Sequence, residues 1–240
     1  MRARVWLPVV ALLGASACCV LLVLARRHLY GPGGFRYLVW NLALAWAPLL
    51  FALLLYAAYR RRHTLAELVA LGGAWLVFLP NAPYMVTDFV HLGDHHRLVD
   101  SLILASFAFT ALALGFASLL LVQIVVTRAA GAWAGWGVAI AALFLSSVGV
   151  YLGRVLRFNS WDVVTRPRLV AWTLWQGLAD PVAHAHLLLV VAAGGGFLAV
   201  AYVGLYGVAG LATALRRDER APVLLSGRKW PSRSSNSTQS

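Results

Sequence analysis

Leu65-Ala66-Glu67-Leu68-Val69-Ala70-Leu71-Gly72-Gly73-Ala74-Trp75-Leu76-Val77-Phe78-Leu79-Pro80-Asn81-Ala82-Pro83-Tyr84 decides the fold. Thr64, with Glu67 three residues on, reads as a capping box that starts a helix at Leu65. The run from Leu65 to Leu79 supplies roughly 22 Å of helix, against about 30 Å of hydrocarbon in a bilayer. Pro80 to Tyr84 is therefore expected below the membrane surface, where irregular backbone must be buried in protein or line a wet cavity. Pro80 and Pro83 flank Asn81, whose amide can satisfy the backbone groups that a proline break leaves unpaired.

Outward from this stretch, the chain is 61% hydrophobic and 12% charged with a mean hydropathy of +0.78, outside the range of a soluble domain. Six apolar runs approach spanning length: about 5–25, 37–59, 65–79, 102–126, 132–152 and 183–215. The expected fold is all-α and polytopic, with six transmembrane helices, a broken third helix and an interfacial helix between the fifth and sixth. The membrane domain is read as 1–215, and 216–240 as a disordered basic cytoplasmic tail. Ala15-Ser16-Ala17 before Cys18 resembles a leader cleavage site, but the apolar run continues to Leu24, which reads as an uncleaved anchor. Cys18 and Cys19, adjacent in that helix, read as small buried apolar residues.

The formal net charge is +12, and 19 of the 20 basic residues are arginine, a skew that GC-rich coding alone can produce. Nucleic acid is not expected as a partner; the lipid bilayer is. With the N-terminus inside, 12 of the basic residues fall in cytoplasmic segments and 8 outside, which fits both termini being cytoplasmic. Four of the outside eight are Arg154, Arg157, Arg166 and Arg168.

After the break, Tyr84, Asp88, His91 and His95 recur at spacings that make one polar stripe on a short α-helix. The fifth run ends in Gly149-x-x-x-Gly153, a spacing that permits close helix contact, and then Arg154 and Arg157, which share a face if the helix continues to them. Thr165 with Pro167 opens a further helix, whose Trp172 and Trp175 read as interfacial anchors. Gly194-Gly195-Gly196 in the sixth run marks tight packing or a bend.

Phe78 to Leu92 and Gly149 to Asp162 together form a pattern that resembles the bacterial membrane-protein family catalogued as domain of unknown function 1361. The matching residues are Pro80, Asn81, Pro83, Tyr84, Thr87, Asp88 and His91, then Gly153, Arg154, Arg157, Asn159, Ser160, Trp161 and Asp162. The resemblance implies a multi-pass bacterial membrane protein, and no activity comes with it.

Both motifs follow odd-numbered spans, so both open to the extracytoplasmic side and can form one pocket. Its expected ligand-binding residues are Asn81, Tyr84, Thr87, Asp88, His91, Arg154, Arg157, Asn159, Ser160 and Asp162. Arginine meets phosphate or carboxylate with two parallel hydrogen bonds, so an anionic lipid headgroup or small anion is the ligand that this set favours. Internal pairing of Arg154 or Arg157 with Asp88 or Asp162 is the competing reading. The same residues permit an enzyme, a membrane-embedded lipid hydrolase or transferase in which Asp88 orients His91 as base, and also an accessory structural subunit of a membrane complex. A metal ion would draw on His91, His95, His184 and His186, but there is no His-Glu-x-x-His and no cysteine ligand set, and no metal is assigned. No residue pattern identifies a cofactor.

Overall fold

A computed structural model describes residues 2–31, 34–91, 96–158, 162–179 and 185–218. Every regular element among them is helical: α1 Arg2–Tyr30, α2 Arg36–Arg60, α3 Leu65–Phe78, α4 Asn81–Tyr84, a 3₁₀ segment Met85–His91, α5 Arg97–Ala130, α6 Ala132–Arg154, α7 Asp162–Thr165, α8 Pro167–Ala179 and α9 Ala185–Asp218. Six segments are long and apolar enough to cross a membrane: Leu7–Tyr30, Arg36–Arg60, Leu65–Val90, Arg97–Ala130, Ala132–Arg154 and Ala185–Leu215. The chain is a multi-pass membrane protein. Contacts divide it into two compact units, Met1–Val200 and Ala201–Ser240.

In the first unit the core is built on α2 and α5. Leu38, Leu42, Ala45, Leu49 and Ala52 recur at spacings of four and three, placing one buried stripe of α2 along α5. Ile103, Leu104, Phe107, Ala111 and Leu114 answer from α5, and Met85 of the 3₁₀ segment and Cys19 of α1 complete the cluster. Buried polar side chains join the helices at intervals. Trp75 Nε1 donates to Ser118 Oγ at 3.1 Å between α3 and α5, and Cys19 Sγ lies 3.4 Å from Thr110 Oγ1 between α1 and α5. Such contacts give a membrane bundle its register where burial from water cannot. Cys18, expected to be buried with its neighbour, is exposed. Successive residues of a helix point about 100° apart, so only Cys19 reaches the core.

The ends of α3 show how local sequence sets the element. Thr64 Oγ1 accepts the Glu67 amide at 3.4 Å and Glu67 Oε2 accepts the Thr64 amide at 3.2 Å, the reciprocal capping box that the spacing implied. Pro167 stands first in α8, as its fixed φ favours, Thr165 is the last residue of the one-turn α7, and the Arg166 carbonyl takes the Leu169 and Val170 amides at 3.1 and 3.2 Å. Trp172 and Trp175 of α8 are exposed. Two glycines of α9 serve packing: a Cβ on Gly194 would fall 2.5 Å from Ser147 Oγ and one on Gly195 2.5 Å from Phe144 Cδ1, both on α6. Ser147 Oγ also donates to the Val190 carbonyl at 3.0 Å.

In the second unit, the described residues belong to the helical stretch ending at Asp218, where the Tyr202 and Tyr206 rings stand 6.4 Å apart. Residues 216–218, expected to belong to the tail, are the last residues of α9, and the rest of the expected tail lies outside the described residues.

Candidate functional site

The site begins where α3 ends. Leu79 and Pro80 keep right-handed helical angles (φ −55°, ψ −38° and φ −59°, ψ −21°), so the third span is broken into helical pieces rather than opened into a loop. The hydrogen bonds account for the break. In a continuous α-helix the Ala82 amide would reach Phe78; here it turns to Leu79 O at 3.1 Å, because Pro83 has no N–H to offer that carbonyl. Phe78 O, left over, accepts Asn81 Nδ2 at 2.9 Å. The Asn81 amide thus repairs the backbone, and Tyr84 N→Pro80 O at 3.0 Å resumes the ladder.

From Met85 the chain tightens to 3₁₀, which differs from the α-helical stripe expected of Tyr84, Asp88, His91 and His95. With three residues per turn, Tyr84 and Thr87 stack in one row and Met85 and Asp88 in the next. Thr87 Oγ1 donates to Tyr84 O at 2.6 Å, along the first row. Met85 fills the core, and Asp88, one turn on, is carried in with it, only 1% exposed.

Glycines bring the first motif against α5 and α6. A Cβ on Gly149 would lie 2.5 Å from Pro80 Cγ, one on Gly153 3.2 Å from Tyr84 Cε2, and one on Gly115 of α5 2.7 Å from Ala82 Cβ. The two glycines four apart on α6 therefore seat Pro80 and Tyr84, also four apart. Arg154, next to Gly153, then reaches over the first motif. Its Nε donates to Thr87 Oγ1 at 2.8 Å, its Nη2 donates to Asp88 Oδ1, and its Cζ sits 4.4 Å from the Tyr84 ring centroid. A carboxylate this deeply buried is tolerated because a guanidinium meets it. Asp88 Oδ2 is buried and accepts no hydrogen bond from the described residues. The Tyr37 side chain of α2 lies within electrostatic reach of Asp88, Arg154 and Tyr84.

Arg157 goes elsewhere. The fifth span ends at Arg154, where Val155 N→Tyr151 O (2.9 Å) is the last helical turn, and Arg157 takes a left-handed φ of +60° while the Phe158 amide returns to Leu152 O at 3.0 Å. The two arginines do not share a helical face, as a helix continuing to Arg157 would have required. Arg157 instead lines a cavity of about 410 Å³ with Trp40, Asn41, Asn81, Tyr84 and Phe158. It is the one charged side chain among the described residues of that lining, and neither it nor Asn41 has a partner among the described residues.

Of the other expected site residues, Asp162 opens α7, half-buried, and is not part of the cavity lining. The His91 backbone closes the 3₁₀ segment, and its side chain lies outside the described part, as do Asn159, Ser160, His95 and His184. His186 is exposed, its ring 6.2 Å from that of Tyr151. Among the described residues no three His, Cys, Asp or Glu gather as a metal site would require.

Two features escape the sequence reading. Asn41 and Trp40 line the cavity from α2, and the signal for Asn41 was present, a lone amide in an apolar span. A second buried ion pair joins α1 to α5: Arg26 Nε and Nη2 donate to Asp100 Oδ1 and Oδ2 at 2.7 and 3.2 Å, with the guanidinium 4.7 Å from the Phe35 ring centroid. Their separation of 74 residues gives no local pattern to read.

No curated protein and no solved structure matches the chain. A family model described as "Protein of unknown function (DUF1361)" matches residues 40–200, which takes in the cavity lining, both motifs and the Arg154–Asp88 pair. The chain belongs to that family.

Proposed function

We propose that this membrane protein binds an anionic group, a lipid phosphate headgroup or a small anion, in the cavity between its two motifs. Arg157 makes the charged contact, and Asn41 and Asn81 line the cavity with amides beside it. The observation that carries the reading is the unbalanced charge: a guanidinium lines the recess with no carboxylate among the described lining residues. Arg157 is exposed and so open to a ligand entering the cavity, and its planar fork suits phosphate or carboxylate oxygens. Arg154 and Asp88 have the complementary task, bracing the first motif against α6 so that the cavity keeps its shape. The distribution of basic residues supports a cavity facing the extracytoplasmic side of a bacterial plasma membrane, with both termini cytoplasmic.

The test is lipid and anion analysis of the detergent-extracted protein. Wild-type protein is expected to retain a phosphate-bearing lipid or anion that Arg157→Gln loses, and equal content in both would refute the reading. A second reading, a lipid hydrolase or transferase, draws support from Asp88 Oδ2, which remains available to orient His91 as a general base. It predicts a lipid conversion that Asp88→Asn abolishes while the variant stays folded. An accessory structural role draws on the Arg154–Asp88 brace alone and predicts that Arg157→Gln changes neither ligand content nor lipid composition.

A further inference from the structure

A second cavity, of about 630 Å³, lies between α1 and α2 and is lined by no residue of either motif. It stays open because α1 packs chiefly on α5, held there by Arg26–Asp100 and Cys19–Thr110, and touches α2 only lightly. Three arginines line it. Arg26 is committed to Asp100 through both carboxylate oxygens. Arg27 and Arg36 are exposed and have no partner among the described residues.

The arrangement of charge along the groove is directional. Arg27 belongs to the last turn of α1 and Arg36 is the first residue of α2, so both guanidiniums stand at the same end of the helix pair. Inward from them the walls are apolar: Val20, Val23 and Leu24 on α1, and Val39 and Ala43 on α2. Val20 and Ala43 each lie seven residues deeper than the arginine of their own helix, about 10 Å of helical rise. Deeper still, Trp46 Nε1 donates to Ser16 Oγ at 3.1 Å and ties the two helices together. Cations at the span ends above an apolar cleft of that depth match a phospholipid: phosphate at the headgroup level, acyl chain beneath it.

We infer that the groove between α1 and α2 is a binding site for an anionic phospholipid, its phosphate held between Arg27 and Arg36 and the upper part of one acyl chain laid against Val20, Leu24 and Ala43. Trp40 lines this groove and also the Arg157 cavity, so a lipid seated here stands beside the first site without occupying it.

The experiment is native mass spectrometry of the full chain carrying Arg157→Gln, which silences the other cavity, titrated with dioleoyl phosphatidylglycerol or dioleoyl phosphatidylcholine. Phosphatidylglycerol is expected to bind in preference to phosphatidylcholine. Adding Arg27→Gln and Arg36→Gln should weaken it roughly 30-fold, at about 1 kcal/mol for each basic residue near the surface. Ala43→Trp, which fills the groove and leaves both arginines in place, should weaken it as well. Equal binding of the two lipids, or phosphatidylglycerol affinity unchanged in both the arginine and the Ala43→Trp variants, would overturn the site. Loss of all phosphatidylglycerol binding on Arg157→Gln alone would also overturn it, while leaving the Arg157 cavity as the lipid site.

Discussion

Pro80 lies against the bare Cα of Gly149, so close that a Cβ there would stand 2.5 Å from Pro80 Cγ and 2.6 Å from Pro80 Cβ. The contact joins the point where the third span breaks to the span that delivers both arginines. A proline ring is rigid and cannot swing aside, so the glycine sets how near the two motifs come.

Gly149→Ala should therefore destabilise the protein by about 1–3 kcal/mol through overpacking. Gly196→Ala, where a Cβ meets nothing within 4 Å, should be neutral or stabilise by up to about 1 kcal/mol. Thermal unfolding in detergent compares the two, and equal shifts would show that the Pro80 contact carries no weight.

Asp88 and Arg154 should behave as a coupled pair. Either Asp88→Asn or Arg154→Gln leaves a buried charge without its counterion and is expected to cost roughly 3–5 kcal/mol. The double variant should cost less than the sum of the singles, because neither charge is then left alone. Denaturant unfolding of all four proteins gives the coupling, and strict additivity would mean that the pair contributes no interaction of its own.

The membrane class and the position of the break were legible in the sequence because both rest on local facts, run length and proline. The capping box at Thr64 and Glu67 was legible for the same reason. Less could be read where tertiary contact overrides local preference. Met85, Val86 and Thr87 carry nothing that selects 3₁₀ over α; the tighter winding accompanies Met85 entering the core and Thr87 bonding back to Tyr84. The end of α6 was hidden too, since Val155-Leu156-Arg157 contains no glycine, asparagine or proline, and Arg157 adopts the left-handed cap itself. Within the candidate site, the motif residues could be named but not sorted. Only the fold separates Arg154, spent on Asp88 and Thr87, from Arg157, which lines the cavity.

The Arg26–Asp100 pair should matter for stability and not for an anion in the Arg157 cavity, whose lining does not include it. Asp100 is 4% exposed, so Arg26→Gln is expected to cost about 3 kcal/mol or more. Binding of inorganic phosphate by the folded fraction should match the wild type, measured by calorimetric titration. A parallel loss of binding would tie this pair to the cavity.

The central claim is that Arg157 holds an anion in the cavity between the two motifs. Its most direct test is calorimetric titration of the detergent-solubilised wild type and Arg157→Gln with dihexanoyl phosphatidylglycerol and, separately, with inorganic phosphate. Apart from phosphatidylglycerol held in the α1–α2 groove, the account predicts a saturable wild-type component for at least one of the two, weakened in Arg157→Gln by roughly ten-fold or more for loss of one charge-assisted contact, with unchanged melting temperature. Indistinguishable isotherms for the two proteins, or binding of neither ligand by the wild type, would contradict it.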